Sequence, residues 1–158
     1  MFCTRWLALP LCAVVAAGCA KSDQGSATDT VASVAAPAAP AALTLDQVAG
    51  TWNMNVTNSA GDSTFMAIVV TATTDANGWR IKYPDRPDPV SARAVAAGDS
   101  IVVEGGPYSS PIRKNVQTTI HAIWRVQGDS LGGPVTAHYT VNTPDSVRVF
   151  RAMGTRAP

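Results

Sequence analysis

The chain has 158 residues, a formal net charge of +1 and 46% apolar residues, enough for one core of modest size. The near-balance of charge excludes the basic excess of a nucleic-acid binder and leaves no polybasic patch for a membrane surface. Cys3, Cys12 and Cys19 are the only cysteines, which excludes a CxxC zinc site and leaves the body of the chain without a disulfide.

The first element is a secretory signal. Arg5 and the amino terminus supply positive charge, and Trp6 to Ala17 form an apolar run broken only by Pro10. That run falls short of the roughly 20 residues that span a bilayer. Val15-Ala16-Ala17-Gly18-Cys19 then resembles the lipobox of bacterial lipoproteins, with Ala16 where that pattern usually carries Leu. The resemblance implies a signal peptide over 1–18, cleavage before Cys19 and lipidation of its sulfur. It implies attachment to a membrane through the N-terminal lipid anchor. Ala20 after the cysteine, rather than Asp, is similar to the outer-membrane case, facing the periplasm or the cell surface. An ordinary signal peptide cut near Ala17 or Ala20 is the alternative.

Residues 19–42 form the next segment. From Ala20 to Ala42 the chain is built of small and polar residues with no aromatic side chain, and Val31 and Val34 are its largest apolar groups. Such a segment buries too little surface to offset its chain entropy, so a disordered linker is expected. Ala35-Ala36-Pro37-Ala38-Ala39-Pro40 stiffens it and blocks a continuous helix. Its role is reach.

Residues 43–158 form one domain. Thr44 to Ala49 predicts a single helical turn, with Thr44 and Gln47 at capping-box spacing. Period-two alternation, the mark of half-buried strands, follows almost throughout. Trp52, Met54 and Val56 form one apolar face, and Trp79, Ile81 and Tyr83 another. Ile101 with Val103, then Ile120, Ala122, Trp124 and Val126, continue the pattern. Val135, Ala137, Tyr139 and Val141 come next, and Val147 with Val149 last. Ser63 to Thr74 is apolar on both faces, and Val90 to Ala96 is mostly alanine. Gly-Asp-Ser at 61–63, 98–100 and 128–130, Asn77-Gly78 and Pro144-Asp145-Ser146 supply turn chemistry between these runs. Eight strands joined mostly by short links predict an all-β, antiparallel up-and-down meander that closes into a barrel, with a sandwich as the alternative.

Leu45 to Trp52, with its Gly50-Thr51-Trp52, resembles the opening of a lipocalin or related calycin barrel. The resemblance implies a Trp at the narrow end, packed against an Arg from the last strand. Arg151, on the parity of Val147 and Val149, is the expected partner of Trp52. The domain is short for a lipocalin, shows no Thr-Asp-Tyr motif between its later strands and has no helix after the last strand. Small calycins of the avidin-like and fatty-acid-binding-like groups are therefore alternatives. The family implies a cup for a small apolar molecule.

Trp79, Tyr83, Trp124 and Tyr139 share the expected inner parity, as ring-lined core or as the wall of a ligand cavity. Tyr108 lies in the long connection Gly105 to Gln117, the expected rim. His121 and His138 are expected to face outward on neighbouring strands, with no third ligand for a metal. Glu104, the one glutamate, has no partner carboxylate, and Ser109 and Ser110 lack a nucleophile elbow. No catalytic residue, metal or cofactor is therefore expected. The leading expectation is a monomeric, non-catalytic, lipid-anchored envelope protein that binds a small hydrophobic molecule. The alternative is an interaction or structural protein with a packed barrel or sandwich that binds another protein or a cell-wall component. The two-faced strand at 63–74 motivates that alternative.

Overall fold

A computed structural model of the protein describes residues 42–158. The expected signal segment, Cys19 and nearly all of the expected linker lie outside the described residues. Among the described residues, no helix is long and apolar enough to cross a membrane.

Thr44 caps a short helix, α1 (Leu45–Val48), through a capping box: the Gln47 backbone N–H donates to the Thr44 hydroxyl, and the Thr44 N–H donates to the Gln47 side chain. Eight strands follow: β1 (Gly50–Asn58), β2 (Thr64–Ala72), β3 (Trp79–Lys82), β4 (Val90–Ala97), β5 (Ser100–Ser109), β6 (Gln117–Gln127), β7 (Ser130–Tyr139) and β8 (Val147–Arg156). Each pairs antiparallel with its sequence neighbours, and β8 pairs with β1, so the sheet is a closed up-and-down barrel. Closure removes the unpaired edges that an open sheet of this sequence would expose.

Alternation divides every strand into a wall facing inward and a wall facing water. Trp52, Met54 and Val56 of β1 are buried, as are Ile68, Val70 and Ala72 of β2. The two apolar faces of β2 are thereby resolved: Ile68 and Val70 enter the core, while Phe65 and Ala67 are exposed and Val69 is half-covered. The alanines of β4 have a purpose in the packing. Ala92 pairs with Trp79, and Ala94 and Ala122 are fully buried, so small residues stand near Trp79 and Trp124, whose ring centroids are 6.5 Å apart. Large beside small is how a narrow barrel is filled to high density.

Two strands depart from the sequence expectation. β5 continues to Ser109, across a register shift between Gly105 and Tyr108 where Gly106 adopts φ +111°. That conformation suits glycine alone. Tyr108 is therefore a buried strand residue and not part of an exposed rim. In β8, Phe150 and Ala152 face inward, whereas Val147 and Val149 are about half exposed and Arg151 is exposed. The register with β1 sets this: Val56, Met54 and Trp52 face Ala152, Gly154 and Arg156. A Cβ on Gly154 would lie 2.2 Å from the Asn53 carbonyl oxygen, so β1 and β8 approach this closely only because position 154 has no side chain. The inward placement of Arg151 is thus corrected, and β8 runs on to Arg156.

Candidate binding site

Up-and-down topology gives the barrel two unlike ends. One carries α1, the end of β8 and three tight connections, β2–β3, β4–β5 and β6–β7. The other carries the β1–β2 turn, the β3–β4 and β5–β6 loops and the β7–β8 connection.

The first end is plugged. Val48 of α1 is fully buried, and the Trp52 indole N–H donates to the Val48 carbonyl at 2.9 Å. The Arg156 guanidinium lies 4.5 Å from the Trp52 ring centroid and donates to the Gln47 carbonyl at 3.0 Å and to the Ala49 carbonyl. Stacking on the indole and bonding to otherwise unpaired helix carbonyls both favour the cation there. The Trp–Arg closure expected from sequence is present, with Arg156 in the place assigned to Arg151.

The second end holds a small cavity of about 50 Å³ inside the wall, lined mostly by apolar side chains from seven strands and the β5–β6 loop. Phe150, Val135, Ile81 and Ile120 form part of its wall, and Ser110, Pro111 and Ile112 bring the loop over it. Tyr83, Tyr108, Trp124 and Tyr139 all line it. Trp79 does not; its indole N–H donates to the Thr73 carbonyl at 2.9 Å and its ring packs in the core.

The polar groups of this cavity are few. The Tyr83 and Tyr108 hydroxyls are 2.5 Å apart, and their rings stack at 5.4 Å. Burial raises the Tyr83 hydroxyl to about 12 and pushes Tyr108 upward as well. Tyr139 is also raised by burial, against the lowering influence of the nearby Arg113 cation. All three are phenols, not phenolates, near neutrality. The Arg113 guanidinium stands 4.3 Å over the Tyr139 ring and 3.8 Å from Asp145. The Arg86 guanidinium stands 5.7 Å from the Tyr108 ring centroid and donates to the Ser109 carbonyl at 3.0 Å. Among the described residues, two side-chain N–H groups are buried with no partner: Trp124 Nε1 and Arg86 Nε.

Sequence alternation identified the lining rings on β6 and β7. It missed the Tyr83–Tyr108 pair, because those residues stand at the ends of β3 and β5 with β4 between them. Arg86 lies in the β3–β4 connection, which strand alternation does not describe. The run of prolines at 84, 87 and 89 was the available signal that this turn is fixed in space.

On the outer wall, Glu104 pairs with His121, and Thr119 pairs with His138, so the two imidazoles sit on a diagonal. With Arg93 they border a groove of about 510 Å³ that is open to solvent. Among the described residues, no group of three or more His, Cys, Asp or Glu side chains could hold a metal ion.

No protein-family model matches this chain, and no curated protein or solved structure was found to be similar to it.

Proposed function

We propose that this protein is a lipid-anchored envelope protein whose barrel binds a small, largely apolar molecule at its unplugged end, without covalent chemistry. The observation that carries the reading is the asymmetry of the barrel. α1, Trp52 and Arg156 seal one end, while the other keeps an apolar cavity beneath the Ser110–Ile112 loop. An eight-stranded barrel has room for packed side chains and one small ligand. At about 50 Å³ the cavity is well above the 10–15 Å³ that one water needs, yet far below the several hundred Å³ of drug-sized sites. The ligand is accordingly small, or enters by displacing the loop. The lipobox-like run ending at Cys19 supports the anchor, and Ala20 supports an outer-membrane address.

The test is a titration of the purified protein with linear alcohols of four to ten carbons, following tryptophan fluorescence. Saturation at one alcohol per chain is expected, with an optimum at short chain length. Ala137→Leu, which fills the cavity from β7, should abolish the signal while the barrel still unfolds cooperatively. Absence of saturation for every alcohol, in a protein that unfolds cooperatively, would overturn the reading.

A further inference from the structure

No carboxylate lines the cavity, and two of its lining features carry a hydrogen with no acceptor among the described residues. Trp124 is 1% exposed, lines the cavity, and its Nε1–H has no acceptor among the described residues. Indole nitrogen can only donate. The Tyr83 and Tyr108 hydroxyls carry two protons between them, and their mutual bond uses one. The second is left for an outside acceptor. By contrast, Thr118, the other hydroxyl deep in the wall, already donates to the His138 carbonyl at 3.1 Å. Ser110 Oγ accepts from the Ile112 and Arg113 backbone N–H groups and shares a hydrogen bond with the Tyr139 hydroxyl.

Two cations stand against the rings at the mouth. Arg113 and Arg86 stand over the rings of Tyr139 and Tyr108, and Arg86 keeps a buried Nε–H without a partner. Of the carboxylates at this end, Asp85 and Asp88 flank Arg86 in sequence and are exposed, and Asp145, 65% exposed, is shared between Arg113 at 3.8 Å and Arg148 at 3.2 Å. Resting on the reading that this end binds a small molecule, we infer that the ligand is a short-chain monocarboxylic acid, bound as the carboxylate. Its chain meets the apolar wall. Its two oxygens, with about four acceptor sites and no donor, meet the tyrosine and tryptophan donors near the Arg86 and Arg113 guanidiniums. An amine would bring donors to donors and a cation to two guanidiniums. A plain alcohol would gain the apolar contacts and lack the charge. Burying a carboxylate is unfavourable unless it is bonded on several sides, and this cavity offers several donors within one enclosure.

The experiment compares hexanoate, 1-hexanol and hexylammonium on the full protein at pH 7.5 and low salt, by calorimetry and tryptophan fluorescence. Hexanoate is expected to bind at least tenfold more tightly than 1-hexanol, with hexylammonium at least tenfold weaker than either. Arg113→Gln should bring the hexanoate-to-hexanol ratio within threefold of unity. Trp124→Phe, which keeps the ring and removes the donor, should weaken hexanoate at least fivefold. Equal affinity for acid and alcohol, or preference for the amine, would overturn the inference and leave apolar binding intact. Retained acid preference in both variants would also overturn it. Failure of all three compounds to bind would overturn the apolar-ligand reading itself.

Discussion

Arg156, not Arg151, closes the plugged end, and the difference is one of register. Trp52 pairs with Arg156 across β1 and β8, which sets the guanidinium over the indole and beneath the carbonyls of α1. Arg151 pairs with Thr57 and is exposed. Arg156→Ala should therefore lower unfolding stability by about 1–2 kcal/mol, combining a cation–π contact and hydrogen bonds to helix carbonyls. Arg151→Ala should stay within about 0.5 kcal/mol, as exposed substitutions do. Urea denaturation of both variants, with Trp52→Phe and the Arg156→Ala, Trp52→Phe double variant, checks the assignment. A coupling energy indistinguishable from zero between 52 and 156 would refute it.

At the scale of elements, β3 and β5 are tied by a contact that neither strand reveals alone. The Tyr83 and Tyr108 hydroxyls bond at 2.5 Å across the intervening β4. Both phenols are harder to ionise in the folded protein than in the unfolded chain, chiefly because burial disfavours the phenolate. Above the unfolded value of about 10, the folded state thus holds more protons, and its stability falls as pH rises. The loss amounts to about 1.4 kcal/mol per pH unit for each such group. For Tyr83 it begins near 10 and levels off near its folded value of about 12. Urea midpoints measured from pH 8.5 to 11.5 should decline, and Tyr83→Phe with Tyr108→Phe should flatten the decline by about two groups' worth. An unchanged slope would mean that the pair ionises as it does in water. The same element scale explains β2. Val70 is fully buried, so an aspartate there would unfold the barrel rather than report on its surface.

For the whole molecule, the anchor and the barrel are separable proposals. The lipobox-like sequence predicts that Cys19→Ser shifts the protein from the membrane fraction to the soluble fraction, read by immunoblot of fractionated cells. Retention on the membrane would count against lipidation at this residue. The ring closes within the described residues, through β1 against β8. α1 and the first strand docking against β8 complete the ring by themselves.

Sequence alone determined the local elements of this protein. Period-two alternation with Gly-Asp-Ser and Asn-Gly turns encoded eight strands and their order, because pleat and turn chemistry act over a few residues. The Thr44–Gln47 capping box was legible for the same reason. Tertiary structure decided which face of an ambiguous strand turned inward. Val147 and Val149 outscore Ala152 and Gly154 in hydrophobicity, yet face outward, since closure of β8 on β1 needed a residue without a side chain at 154. It also decided that Tyr108 is interior, through the register shift at Gly106. The unpartnered Trp124 N–H, the tyrosine pair and the two arginines over tyrosine rings come from five separate strands and loops. Periodicity reports the direction in which each side chain points. Only the packed barrel determines which of them meet, because that depends on curvature and stagger summed around the whole ring.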